Sequence, residues 1–306
     1  MRIIFLGTPE FAVPSLDILF RHGYDMVGVI TAPDKPGGRL GVIQSAVKQY
    51  AVAQGLRVLQ PEKLKNPEFL AELRSLRADL QVVVAFRMLP EVVWQMPPLG
   101  TLNLHGSLLP KYRGAAPINW AVINGEIETG ATTFLLRHEI DTGDLLLQDR
   151  LPIGENDTAG EVHDHMMQMG ADLVLRTVQA LEQGTAQPQP QPAGVATHAP
   201  KLFTETCRID FARPTVVVHN FVRGLSPYPG AWTLLDGKTL KILRATKEEP
   251  RSGLPPGEFF SDGRNELKIS TLDGFLQVQE LQMEGKRRMT VREFLNGYRL
   301  GQQYIL

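Results

Sequence analysis

Thr101-Leu-Asn-Leu-His-Gly-Ser-Leu-Leu-Pro110 is the stretch on which the reading of this chain turns. Its first half is a short apolar strand interrupted by two polar residues, and the Gly106-Ser107 turn with Pro110 ends it. Alternation sends residues i and i+2 of a strand to the same side, so Asn103 and His105 project together. Open α/β sheets keep their ligands at the carboxyl edge of the strands, which is where this pair falls. Downstream, Glu139-Ile-Asp-Thr-Gly-Asp144 reads as a turn before the strand Leu145-Leu-Leu147, and Asp141 in it is the carboxylate suited to orienting the imidazole. Asp144 reads as a turn-capping carboxylate. An Asn-x-His pair by itself more often marks a hydrogen-bonded structural histidine than a catalyst, so the rest of the chain has to decide.

Working outward, strands alternate with helices. Arg2-Ile-Ile-Phe-Leu6 is an apolar strand, and the Gly7-Thr-Pro-Glu10 turn leads into a helix over 11–22. No Gly-x-Gly-x-x-Gly or Walker pattern follows it, which argues against a nucleotide cradle. Met26–Ile30 is a second strand, opening into the Pro/Gly-rich loop Ala32–Arg39 with Lys35 and Arg39. Helices are predicted over 45–54 and 62–77, the latter with Leu64, Phe69, Leu70, Leu73 and Leu76 as its apolar face, and a short strand over 57–59. Leu80-Gln-Val-Val-Val-Ala-Phe86 is a continuous apolar run of the kind found in a parallel strand buried on both faces. Past the organising strand come a helix over 114–124, with Pro117 in its first turn, and strands over 132–136 and 145–148. A long helix over 158–182 is opened by a Thr158/Glu161 capping box. This alternation predicts a doubly wound, mostly parallel α/β sheet. His163 and His165 lack a partner at metal-ligand spacing, and no metal is expected.

With 306 residues, two cores are the default. Gly184-Thr-Ala-Gln-Pro-Gln-Pro-Gln-Pro-Ala-Gly194 marks the boundary, since alternating Gln-Pro favours an extended polyproline II spacer. The division expected is 1–184, a linker over 185–208, and a smaller domain over 209–306. In the last, a helix over 215–222 precedes short strands over 230–235, 240–243, 267–269 and 276–279, with Asp-Gly turns at 236, 262 and 273 and a closing helix over 291–300. That pattern suggests an OB-like β-barrel, an architecture that binds oligonucleotides. A composition 43% hydrophobic and 21% charged is ordinary for a globular protein, with no run of membrane-spanning length. Cys207 stands alone, which excludes an internal disulfide and fits a reducing compartment. The N-terminus reads as a first strand with neither leader nor transit character, so a cytoplasmic protein is expected. The net charge of −1 means that a nucleic-acid partner must be met by a local basic face.

Taken together, Asn103-Leu-His-Gly-Ser-Leu-Leu-Pro110, Tyr112-Arg-Gly-Ala-Ala-Pro-Ile118 and Asp141-Thr-Gly-Asp144 resemble the signature of the formyltetrahydrofolate-dependent transformylases. The likeness continues in Gly224-Leu-Ser-Pro-Tyr-Pro-Gly-Ala-Trp232 and in Lys286-Arg-Arg-Met289 before Phe294-Leu-Asn-Gly297. It implies a formyltransferase-type catalytic domain over 1–184 and a tRNA-binding domain over 209–306. The implied reaction moves a formyl group from 10-formyltetrahydrofolate, a co-substrate, to the amino group of methionyl-initiator tRNA, with Asn103, His105 and Asp141 as catalytic residues. By the same resemblance, Ser107, Leu108, Leu109 and Pro110 line the folate and the pterin enters beside Phe86, Arg87, Met88 and Leu89. The loop after Ala32 is implied to lie against the acceptor end of the tRNA; here Leu40-Gly-Val-Ile43 replaces the family's usual basic residues. A monomer with no membrane partner is expected.

The chemistry suits those residues. Formyl transfer passes through a tetrahedral carbon bearing an oxyanion, and preorganised donors aimed at that charge are worth about 3–4 kcal/mol each. Asn103 offers an amide N–H and His105, when protonated, a charged one. Asp141 either keeps the imidazole charged or orders a proton-carrying water, and the sequence leaves both open. His138, on the strand before the turn, is a rival for the acid–base work, and it is mainly the resemblance that favours His105. Phosphate contacts need Lys and Arg on one face; the candidates are Lys35, Arg39, Lys111, Arg113, Lys238, Lys241, Arg244, Lys286, Arg287 and Arg288. A transformylase for an amino sugar nucleotide would keep the same trio, and a tRNA- or folate-binding protein without catalysis is the reading from another class.

Overall fold

Ile3, Ile4, Phe5 and Leu6 are each at most 1% exposed, as a strand covered on both faces requires. They belong to Arg2–Gly7, one strand of a seven-stranded sheet ordered Leu145–Pro152, Glu128–Leu135, Thr101–His105, Leu80–Val84, Arg2–Gly7, Asp25–Ile30 and Val58–Leu59. The pairings from Thr101–His105 through Val58–Leu59 are parallel, and Glu128–Leu135 runs antiparallel to Thr101–His105. This is the doubly wound, mostly parallel sheet expected, with an antiparallel strand added beside the organising one. The structure, a computed structural model, describes residues 1–37, 41–139, 141–192, 194–248 and 254–299; Arg39, Leu40 and Leu300, named above, lie outside them. The chain divides into two units: Met1–Gly114, Gly130–Leu151 and His163–His198 form the first, and Ala115–Thr129, Pro152–Val162 and Ala199–Leu306 the second.

In the first unit, Ile4, Leu6, Ile30, Leu59 and Val83 pack with Phe69 and Leu73 of the helix Pro67–Ser75. The helix is shorter than the 62–77 expected. Asn66 caps it, its side chain accepting from the Glu68 N–H at 2.8 Å, and Pro67 occupies the first turn, so Leu64 is buried from the preceding coil. The apolar run from Leu80 likewise stops early: the strand ends at Val84, and Ala85 takes a left-handed φ of 48°. On the other face of the sheet, Gly170 of the helix Ala159–Glu182 lets the two elements approach, since a Cβ there would stand 2.8 Å from Leu104. The Thr158/Glu161 capping box is present, with N–H to side-chain bonds of 2.8 and 3.2 Å. The Gln-Pro stretch is no detached spacer. Gln189 and Leu145 exchange both backbone hydrogen bonds, at 2.8 and 2.9 Å, which holds it against the first unit.

The second unit is built on an antiparallel half-barrel sheet, ordered Ala231–Leu235, Lys238–Glu248, Phe275–Met283, Leu267–Ser270 and Phe259–Ser261, with Met289–Thr290 also paired to Phe275–Met283. The two long strands run further than their apolar cores predicted. Register shifts near Leu243 and Arg244 give the first of them an irregularity of the kind that bends a strand. The Asp236-Gly237 turn has both residues at positive φ, 49° and 74°, as a tight hairpin demands. Val218 and Val222 of the helix Thr215–Gly224 enter the core with Leu240, Ile242, Leu276 and Val278. The same helix buries His219, whose Nε2–H donates to the Ala245 carbonyl at 3.0 Å. Cys207 is fully buried and burial pushes its thiol pKa up, the opposite of a reactive cysteine. Among the described residues, no helix is long and apolar enough to cross a membrane.

Candidate active site

The strand Thr101–His105 places Leu102 and Leu104 in the core on one face and sends Thr101, Asn103 and His105 to the other. Asn103 stands level with Val83 on one neighbour and Phe134 on the other, and His105 is level with Thr132. The Asn103 side chain is partly exposed and has no hydrogen-bond partner among the described residues, so its amide is uncommitted. His105 is 7% exposed, with its Nε2 2.8 Å from the Tyr112 carbonyl. A carbonyl only accepts, so Nε2 carries the proton and Nδ1 is left to face Asp141. The separation from Nδ1 to Asp141 Oδ2 is 3.8 Å with Asp141 11% exposed. That is too long for a direct hydrogen bond and within reach through a bridging water.

Each member of this trio is held by backbone that is itself held. After the strand, Ser107 donates to the Lys111 carbonyl at 2.6 Å, which closes the turn. Thr132 Oγ1 donates to the Ser107 carbonyl at 2.6 Å and accepts from the Leu109 N–H at 3.1 Å and from Gln148 Nε2 at 2.9 Å. Tyr112, whose carbonyl fixes the imidazole, has a φ of 59° and donates its N–H to Thr197 Oγ1 at 2.8 Å. The Gly114 N–H, from a residue at φ 123°, donates to Asp141 Oδ2 at 2.9 Å. One segment therefore orients the histidine through its carbonyl and the carboxylate through its amide.

Asp141 sits at φ 55°, a conformation that costs an L residue about 1–2 kcal/mol and needs support. Gln191, from the Gln-Pro stretch, gives it: Nε2 donates to the Asp141 carbonyl at 2.7 Å and to the Gly143 carbonyl at 2.9 Å. Its Oε1 accepts from the Arg113 guanidinium, from Nη2 and, at 3.2 Å, from Nε. Gly143 is required by space, because a Cβ there would fall 1.8 Å from the Leu135 carbonyl oxygen. Asp144, read as a turn cap, instead pairs with Arg137. His138 is 83% exposed with Glu91 3.5 Å away, and His163 rests against the Phe11 ring with Asp164 beside it, whereas His105 is buried with Asp141 facing its Nδ1.

The residues singled out for the folate divide. Leu108 and Phe86 are partly exposed, and Met88 is 73% exposed. Ser107, Leu109, Pro110 and Leu89 are buried, and the Ser107 hydroxyl is spent on its own loop. Arg87 braces a neighbouring loop by donating to the Pro61 and Glu62 carbonyls, with its guanidinium 5.5 Å above the Phe86 ring. Among the described residues its Nε is buried without a partner, and burial lowers its pKa. Gln191, Thr132 and Gln148 were not picked out from sequence. The consecutive threonines in a strand were a usable signal for Thr132, whereas nothing local distinguishes Gln191 from the other glutamines of its repeat.

Of the candidate phosphate contacts, several are already engaged. Arg113 holds Gln191, Lys241 donates to the Pro229 carbonyl at 2.8 Å, and Arg244 pairs with Glu161 at 2.5 Å. In the Lys286-Arg-Arg288 cluster, Arg287 pairs with Glu293 at 2.7 Å and Arg288 with Glu280. Lys35 lies on the exposed strand Lys35–Pro36, paired with Val42–Ile43.

Comparison with known proteins bears on both units. The family described as formyl transferase matches residues 1–178, and that described as formyl transferase, C-terminal domain, matches residues 201–299. A methionyl-tRNA formyltransferase of Parabacteroides distasonis is 56% identical, with 100% of this chain and 98% of the relative covered. One from Bacteroides fragilis is 52% identical over 99% of this chain and 97% of the relative. Among solved structures, an N-formyltransferase from Helicobacter canadensis in complex with folinic acid and dTDP-3-aminofucose has a TM-score of 0.71 at 21% identity, covering 94% of this chain and 99% of that one.

Proposed function

Because the chain belongs to the formyl transferase family, we propose that it moves a formyl group from 10-formyltetrahydrofolate to the amino group of methionyl-initiator tRNA for translation initiation. The full-length likeness to methionyl-tRNA formyltransferases carries the choice of acceptor. The sugar-nucleotide enzyme shares the fold at an identity that speaks for the fold alone. A folate-type donor, a cytoplasmic setting and a working monomer without metal complete the reading.

The chemistry falls to the atoms that the scaffold leaves uncommitted. Asn103 offers its amide N–H, and His105 Nδ1 and Asp141 Oδ1 have no hydrogen-bond partner among the described residues. As the amine nitrogen bonds to the formyl carbon, the carbonyl oxygen gains charge, which the Asn103 amide and a protonated His105 steady in this reading. The proton lost by the amine passes by way of Asp141 or a water it holds to the leaving N10, and the C–N10 bond breaks. Phe86, Leu108 and Met88 are the side chains able to flank a flat pterin, while Ser107, Leu109, Pro110, Arg87 and Leu89 shape the loops around it. The test supplies a labelled formyl donor with either methionyl-initiator tRNA or an amino sugar nucleotide. Label on the tRNA is expected; label on the sugar alone would overturn the assignment.

A further inference from the structure

The segment read as a spacer contributes a side chain to the catalytic loop, and it does so with a full complement of hydrogen bonds. Both N–H groups of the Gln191 amide are used, one on the Asp141 carbonyl at 2.7 Å and one on the Gly143 carbonyl at 2.9 Å. Its oxygen takes two donors from Arg113. The amide has only one chemically sensible orientation, because its nitrogen must face the two carbonyls and its oxygen the guanidinium. Arg113 stands between Tyr112, whose carbonyl fixes His105, and Gly114, whose N–H fixes Asp141 Oδ2. Gln191 thus ties the loop that carries Asp141 to the segment that orients both acid–base groups. Its nearest substitutes do not fit. Glu lacks the donors and would set an oxygen against two carbonyls, Leu offers neither donor nor acceptor, and Asn is one methylene short.

We propose that Gln191 is a positioning residue for the reaction, holding Asp141 in its left-handed conformation at working distance from His105. This rests on the reading of Asp141 as catalytic. Asp141 is strained at φ 55°, and among the described residues its main-chain oxygen is fixed by this one side chain, while Gly114 holds the carboxylate. Loosening the loop changes the 3.8 Å separation of Asp141 from His105, and displacements of about 1 Å at a reacting centre cost about a hundredfold in rate.

The experiment compares the full-length protein with Gln191→Leu, Gln191→Glu, Asp141→Asn and the double variant Gln191→Leu/Asp141→Asn, by steady-state and single-turnover formylation. Gln191→Leu and Gln191→Glu are each expected to lower kcat by about ten- to a hundredfold, with KM for tRNA and for folate within about twofold. In the Asp141→Asn background, Gln191→Leu is expected to have little further effect, since its action runs through Asp141. A Gln191→Leu loss that persists in full there would mark a general structural defect and overturn the proposal. Full kcat in Gln191→Glu, which keeps an acceptor for Arg113, would overturn it even if Gln191→Leu folded poorly. If Asp141→Asn is inactive while both Gln191 variants are normal, the positioning role falls and the catalytic reading stands. If Asp141→Asn itself is fully active, the catalytic reading falls and this proposal goes with it.

Discussion

The surroundings of His105 and the Lys286-Arg-Arg288 cluster both handle charge, and they are built in opposite ways. Around His105, the polar groups of the turn and of the Asp141 loop are buried and answered by named partners in Tyr112, Thr132, Gly114 and Gln191. Around Arg287 and Arg288, the side chains are exposed to water, each held by a carboxylate of the same surface. In the first region, fixed dipoles in a largely buried site act strongly and at one geometry. In the second, solvent screens each pair and leaves it worth little, so a phosphate can take the place of the resident carboxylate at small cost. Chemistry calls for the former and docking of a long polyanion for the latter.

The sharpest break in this contrast is expected at the pinned site. His105→Ala and Asn103→Ala should each remove at least about two decades of turnover, with tRNA affinity almost unchanged in a direct binding measurement. Activity within a few-fold of the parent in either variant would end the oxyanion proposal.

How much of this site is visible in the sequence follows from how local each part is. Asn103 and His105 are two residues apart on one strand, so the pleat alone puts them together, and Asp141 announces itself by the turn residues around it. Their supports are another matter. Tyr112, Gly114 and Gln191 act through backbone atoms or across long loops, and a Gln-Pro repeat has the composition of a spacer whether or not one of its side chains has a docking point. The sheet was legible because Ile3 to Leu6 are apolar throughout and Leu80 to Val84 are apolar but for Gln81, as double burial requires. The end of the second run at Val84 was not, because Ala85 and Phe86 look like more of the same and the break lies in the positive φ of Ala85. In the second unit the Asp-Gly turns gave the hairpins away, while the strand Phe259–Ser261 was too short to carry a pattern. The basic cluster was read as a set of candidate phosphate contacts, and its ion pairs were not visible because Glu280 and Glu293 come to it from a neighbouring strand and helix.

A second prediction tests whether burial has comparable force away from His105 and Asp141. His219 is 1% exposed, and among the described residues its Nδ1 has no partner. Burial, helped by Arg223 and Lys247 and opposed by the Ala245 carbonyl and Glu155, brings its pKa down from 6.5 to about 4. The unfolded chain takes the proton near 6.5 and the folded one only near 4, so between those values the unfolded state binds more protons. Stability should therefore fall as pH drops through that window, by up to about 3 kcal/mol, and this contribution should level off below pH 4. Urea denaturation of the parent and of His219→Gln, which keeps a donor for the Ala245 carbonyl, checks this at pH 7 and pH 4.5. An equal pH response in the two proteins would show that His219 is not the source.

The smallest expected effect lies on the exchangeable surface and runs upward. Glu280→Gln removes the charge that occupies Arg288 without removing bulk, and so should release a cation to the tRNA. Affinity should rise only about two- to threefold, because an exposed pair is nearly balanced by solvent. The salt slope is the better readout, since each added phosphate contact steepens it by about one. The triple variant Lys286→Ala/Arg287→Ala/Arg288→Ala should make it shallower. Opposite changes in slope from removing the acid and removing the bases would mark this cluster as a surface whose carboxylates hold places for phosphates. Unchanged slopes in both would mean that the pairs serve only the fold of the second unit, and that the tRNA is met elsewhere.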